Sequence, residues 1–149
     1  SPLWQDDDSW QGFSWISHDD YQQSVIAFRR IDDAGKEIIA VCNFCPVQRN
    51  DYKIGVPKEG SYALAFNTDD KKYGGSGITE SKFRTLPISM HGFEQCVSLT
   101  LAPLSVIYLT FTPPKKRTVH KSAVTQKTPA KPKAAKNPDP ARKRTAAPK

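Results

Sequence analysis

The sequence predicts an all-β protein, an antiparallel β-sandwich, followed by a disordered basic C-terminal tail. Three observations predict it. Short runs rich in Val, Ile, Phe, Tyr and Thr recur every 8–15 residues, separated by turns carrying Gly, Pro or Asp, which is the spacing of sandwich strands. No window sustains the 3.6-residue apolar period of a packed helix. All fifteen Phe, Trp and Tyr residues lie in residues 1–112 and none in residues 113–149, so only the first part can build a core.

Each element follows from local chemistry. Ser24-Val-Ile-Ala-Phe-Arg-Arg30 and Lys36-Glu-Ile-Ile-Ala-Val-Cys-Asn-Phe44 flank Asp32-Asp-Ala-Gly35, a polar turn that makes the pair a hairpin. Asp51-Tyr-Lys-Ile-Gly-Val56 alternates polar and apolar positions, and Pro57-Lys-Glu-Gly60 turns the chain into Ser61-Tyr-Ala-Leu-Ala-Phe-Asn67. A glycine-rich loop, Tyr73-Gly-Gly-Ser-Gly77, leads to a weaker strand over 82–86. Cys96-Val-Ser-Leu-Thr-Leu101 and Val106-Ile-Tyr-Leu-Thr-Phe111 form the last pair, joined by Ala102-Pro-Leu-Ser105. Residues 1–22 read differently: Trp4, Trp10, Phe13, Trp15 and Ile16 sit among Asp6, Asp7, Asp8, Asp19 and Asp20 with no strand alternation. They are expected to form an irregular aromatic and acidic lead-in, with Trp4 packed. The division is therefore lead-in over 1–22, sandwich over 23–112 and tail over 113–149.

Charge follows the same division. The net of +7 combines +11 in residues 113–149 with −4 in residues 1–112. Seven of the twelve prolines fall in the tail, and self-repulsion without aromatic burial cannot offset about 1–2 kcal/mol of backbone entropy per ordered residue. No run approaches the ~20 apolar residues of a membrane span, and the start lacks the basic and apolar regions of a signal peptide. Three cysteines are too few for a disulfide scaffold, so a reducing, cytoplasmic location is expected. With no initiator Met at its start, the chain reads as processed or as a piece of a longer one.

Chemistry-bearing motifs are few. Cys42-Asn-Phe-Cys45 has CxxC spacing, but on a strand two residues three apart face opposite sides. A redox pair belongs at a helix N-terminus, and zinc needs two further ligands. His18, His91 and His120 share no ligand spacing. The loop Tyr73–Gly77 lacks the lysine and helix of a phosphate site and serves instead as a positive-φ surface loop. The acid clusters could supply the paired carboxylates of glycoside chemistry, yet consecutive acids in a polar segment read as solvated caps. No catalytic residue, metal site or cofactor is expected. Aromatics remain: Trp10 and Trp15, interleaved with Gln11, Ser14, Asp19 and Asp20, have the composition of a sugar-stacking platform, set against the alternative that Trp packs in cores and interfaces.

Gly12-Phe-Ser-Trp-Ile16 with Asp19-Asp20, Ser24-Val-Ile and Phe28-Arg-Arg30, Asn43-Phe-Cys-Pro-Val-Gln-Arg49, Asp51-Tyr-Lys-Ile-Gly-Val-Pro57, Asn67-Thr-Asp69 with Tyr73–Gly77, His91-Gly92, and Ser98-Leu-Thr-Leu-Ala-Pro-Leu104 occur in this order. Together they resemble the C-terminal region of bacterial 1,4-alpha-glucan branching enzymes, of the alpha-amylase superfamily. Ser14, Ser17-His18, Cys45, Ile78-Thr-Glu80 and Cys96 depart from that pattern, and the tail has no counterpart in it.

The resemblance implies an alpha-amylase C-terminal-domain-like sandwich that packs on a catalytic (β/α)8 barrel and takes part in glycogen biosynthesis. It also implies that the aspartate nucleophile, glutamate acid/base and second aspartate lie on that barrel, upstream of Ser1. The parent's transfer of an α-1,4-glucan segment to a 6-hydroxyl would be retaining and need no cofactor. Expected partners are the barrel and α-glucan (glycogen or amylose), with Trp15, Trp10 and Tyr73 as glucan-binding residues and Gly12 and Phe13 setting the lead-in against the barrel. Two alternatives stay open: a freestanding glucan-binding module, and a polyanion or nucleic-acid binder acting weakly through the basic tail.

Overall fold

The computed structural model describes residues 1–6 and 9–113. Eight strands form two antiparallel sheets: β1 Phe13–Asp20, β2 Val25–Ile31, β3 Glu37–Asn43, β4 Arg49–Val56, β5 Ser61–Asn67, β6 Lys82–Arg84, β7 Gln95–Leu101 and β8 Ser105–Thr112. Six strands make one sheet in the order β1-β2-β3-β8-β5-β6, and β4 pairs with β7 in the second. The expected sandwich is therefore present.

The core lies between the sheets. From the six-stranded side come Val25, Ala27, Ile39, Val41, Tyr62, Phe83, Ile107 and Leu109; from the other come Tyr52, Ile54, Val56, Val97, Leu99 and Leu101, all buried. Period-two alternation places each set on one face of its strand. The β2–β3 hairpin turns where expected, with Gly35 N–H donating to Asp32 O and Asp32 N–H to Lys36 O. A second turn, His91-Gly92, has both residues at positive φ (52° and 81°) between reciprocal Met90 and Phe93 backbone bonds, the geometry of a two-residue type I′ hairpin. That hairpin crosses β4 at Gly55, where a Cβ would collide with the Met90 carbonyl oxygen.

Two expectations about the first residues are corrected. The irregular lead-in stops at the 3-10 turn Trp10–Gly12, and Phe13–Asp20 is an edge strand. Register shifts fall between Trp15 and Ser17 and between Ser17 and Asp20; each bulge resets the alternation, which hid the strand. Trp4 is not packed but 69% exposed. The segment is fastened instead by its backbone: Arg30 Nη2 donates to Asp6 O at 2.9 Å, and Gly12 lies against the same carbonyl with no room for a Cβ.

Candidate functional site

The two sheets differ on their outer faces. On β4 and β7 the exposed part of the outer face is polar, with Lys53, Ser98 and Thr100, while Gly55 and Cys96 are covered. Asp51 accepts from Lys53 Nζ at 2.6 Å and from Ser98 Oγ, and Thr100 Oγ1 donates to Glu80 at 3.2 Å. Those two bonds to Asp51, that from Lys53 first, hold its carboxyl below the ordinary carboxylate range.

On the six-stranded sheet the central outward residues are apolar, with Arg30, Thr110 and Lys82 toward one end. Register pairs Trp15 with Phe28, Phe28 with Ala40, Ala40 with Tyr108 and Tyr108 with Phe66. One cross-strand row thus runs over five strands, about 19 Å at the usual interstrand spacing. Ile26 and Cys42 with Val106 form a flanking row, and Arg30 with Ile38 the other. Phe13, Trp15 and Phe28 form a ring cluster with centroids 4.9–6.0 Å apart. At the far end Phe66 meets Tyr108 at 5.3 Å and Tyr73 at 6.0 Å.

The glycine-rich loop places Tyr73. Asp69 accepts from Ser76 N–H and Oγ–H and from Gly77 and Ile78 N–H at 2.8–3.4 Å. Burial works to raise its pKa, but these hydrogen bonds outweigh it and the carboxyl sits below its ordinary value. Gly74 and Gly77 supply the positive φ (85° and 67°) that non-glycine residues rarely adopt, and a Cβ on Gly75 would collide with the Asp69 carbonyl oxygen.

Of the predicted site residues, the structure brings Trp15 and Tyr73 to opposite ends of one sheet face, 49% and 58% exposed. Trp10 stands outside the row, on the turn ahead of β1, 84% exposed. The sequence reading missed Phe28, Phe66 and Tyr108, which join the two ends. A signal was available: Val25-Ile-Ala-Phe28 and Ile38-Ile-Ala-Val-Cys42 are apolar at both parities, as strands covered on both faces are.

The remaining candidates have structural roles. Cys42 lies buried on the outer face of β3 and Cys45 in the following loop, both as free thiols; burial pushes Cys42 above its ordinary pKa. Asp20 accepts from Tyr52 Oη at 2.8 Å and from Gln23 N–H at 3.1 Å, and Asp6 accepts from Ser9 Oγ at 2.7 Å. Glu37, the most buried acid among the described residues, is paired with Arg29 at 3.6 Å and Lys58 at 3.0 Å. Among the described residues no group of three His, Cys, Asp or Glu is placed to hold a metal. Nor is any helix among them long and apolar enough to cross a membrane. Asp7, Asp8, His120 and the basic tail lie outside the described residues. The rings can stack on an apolar surface or on the C–H face of a sugar.

Residues 15–112 match the protein family described as the alpha amylase, C-terminal all-beta domain. The chain is 50% identical over 109 residues to the 1,4-alpha-glucan branching enzyme GlgB of Aquifex aeolicus, covering 72% of this chain and 17% of that protein. It is 46% identical over 110 residues to the enzyme of the same name from Francisella philomiragia, with the same coverage. For that of Aromatoleum aromaticum the identity is 42% over 99 residues, 66% of this chain and 16% of the relative. The chain thus spans about a sixth of the length of the curated relatives it matches.

Proposed function

From the premise that this chain belongs to the family of alpha amylase C-terminal all-beta domains, we propose that it is the C-terminal domain of a cytoplasmic 1,4-alpha-glucan branching enzyme, not catalytic by itself. Its work is to cover the catalytic portion of the parent with the outer face of the six-stranded sheet. The observation that carries this reading is the asymmetry of the two outer faces: Lys53, Ser98 and Thr100 on β4 and β7, against a row of Trp15, Phe28, Ala40, Tyr108 and Phe66 across β1, β2, β3, β8 and β5. A contiguous apolar face of this kind is a binding surface. Chemistry that requires paired carboxylates then belongs to the portion of the parent beyond this chain.

Within that reading, exposure divides the labour. Phe28, Ile38, Tyr108 and Phe66 are half-buried on the face and dock, whereas the more exposed rings of Trp15, Trp10 and Tyr73 meet the α-glucan chain.

One experiment tests the docking. The chain, and its Phe28→Glu variant, are mixed with the Aquifex relative truncated before its matching segment, and association is followed by size-exclusion chromatography. Wild type should co-elute and the variant should not. Equal behaviour of the two, or formation of α-1,6 links by the isolated chain, would refute the reading. Retardation of the isolated chain in a glycogen-containing native gel, lost in Trp15→Ala, tests the stacking; unchanged mobility in both removes it.

A further inference from the structure

The sandwich has two seams, and they are closed differently. Beside β6, a bridge between Leu86 and Cys96 ties the two sheets together. Beside β1, no ladder joins β1 to β4 among the described residues, and the Tyr52 hydroxyl, donating to Asp20 Oδ2 at 2.8 Å, crosses the gap. At this open seam lies a cleft of about 270 Å³, lined chiefly by Asp20, Gln23, Asn50, Lys53, Met90 and His91. Its size falls just below that of drug-sized ligand clefts, roughly 300–1,000 Å³, which limits it to about a single ring unit.

The backbone around the cleft is shaped at several points. Both bordering strands carry register shifts, β1 between Ser17 and Asp20 and β4 between Arg49 and Tyr52. Among the described residues four non-glycines have positive φ. Asp51 (55°) and His91 (52°) line the cleft, and Ser24 (55°) follows Gln23; Leu104 (48°) is the fourth. Bulges and left-handed residues concentrate where a side chain must be aimed at a ligand. His91 takes its positive φ from the two-residue hairpin turn, and its Nδ1 accepts the Gly55 N–H at 3.2 Å, which leaves Nε2 of the neutral ring as a donor.

The lining selects a chemical class. Lys53 is neutralised by Asp51 at 2.6 Å, so the cleft presents no free cation to an anion. Carboxylates of Asp20 and Asp51, amides of Gln23 and Asn50 and the His91 ring supply acceptors and donors, with Met90 as the apolar contact; the Tyr52 hydroxyl is spent on Asp20 and Asn50 Oδ1 on Gln48. A neutral ring bearing hydroxyls, each both donor and acceptor, satisfies such a set. We propose that this cleft is a subsite for a glucosyl residue of an α-glucan chain, separate from the aromatic row. The class of neutral polyol rests on the lining alone; its identity as α-glucan rests on the function proposed above.

The test uses the full chain. Its ¹H–¹⁵N spectrum is titrated with maltoheptaose, with cellopentaose and, separately, with inorganic phosphate. Maltoheptaose should shift amides at 20–24, 50–53 and 90–92, and in the exposed-residue variant Gln23→Ala/Asn50→Ala those shifts should disappear or need at least tenfold more ligand. Maltoheptaose shifts confined to the surroundings of Trp10, Trp15 and Tyr73 would overturn the subsite, as would full retention of the cleft shifts in the variant. Movement of the cleft amides by cellopentaose or phosphate but not by maltoheptaose would overturn it as well. Docking on the truncated relative is scored separately, so either proposal can fail while the other stands.

Discussion

Replacing Asn43 should cost more than any surface change, because one side chain fixes two loops. It ends β3 at 1% exposure. Its Nδ2 donates to Val47 O at 2.9 Å and to Ala102 O at 2.8 Å, and its Oδ1 accepts from Cys45 N–H at 3.0 Å. Next to these, Leu104 N–H donates to Cys45 O at 3.0 Å. Three bonds at about 1 kcal/mol each give Asn43→Ala a loss of about 3 kcal/mol. Two of the carbonyls are partly protected: Ala102 O keeps the Ser105 hydroxyl at 2.7 Å, and Val47 is exposed to water. At ~4 °C per kcal/mol for a domain of this size, the melting temperature should fall by about 12 °C. Asn43→Asp keeps the shape but points a carboxylate at two carbonyl oxygens, so at pH 7 it should be the worse of the two. Its folded pKa would then be raised, and part of the lost stability should return as pH falls toward 4. Urea unfolding followed by Trp fluorescence measures all of this. A loss below about 1 kcal/mol for Asn43→Ala, or a smaller loss for Asn43→Asp, would refute the reasoning.

Other substitutions probe the remaining features. Gly75→Ala sets a methyl into the Asp69 carbonyl and should cost about 1–3 kcal/mol while displacing Tyr73 from Phe66, visible as changed ring proton shifts of both residues. Burial foremost, with the Glu37 charge adding to it, pushes the Tyr62 hydroxyl up to about 12. Because that folded pKa is raised, its contribution holds below pH 10 and is lost as pH climbs through about 12; thermal melts from pH 9 to 12 should lose this slope in Tyr62→Phe. The Asp69 carboxyl is held low, so its contribution is present above the ordinary carboxylate range and lost as pH falls through its folded value. Hydrogen-exchange protection factors at residues 76–78 should fall in acid for wild type and be low throughout for Asp69→Ala.

The polarity of the outer faces also bears on how the isolated chain behaves. Half-buried Ile26, Phe28, Ile38, Val106 and Tyr108 resemble the rim of a core cut in two, so the chain on its own is expected to associate unless that face is covered. The glucan contacts proposed for Trp15 and Tyr73 fall at the two ends of the same face, and the proposed docking must leave at least those ends open for both roles to coexist.

The amino-acid sequence by itself determined the fold class, seven of the eight strands among the described residues and the glycine-rich loop. Strand alternation and turn chemistry are local, so they can be read without knowing what packs on what. It could not show β1, because two bulges break the period. Nor could it show that Trp15 and Tyr73 share a face, since Trp15, Phe28, Ala40, Tyr108 and Phe66 become neighbours through pairing register across strands distant in the chain. The cleft is of the same kind: Asp20, Asn50 and His91 meet at a seam left unpaired when the sheets close. Which side chains share a surface is fixed by register and by which edges stay open, and both are long-range properties that only the tertiary structure decides.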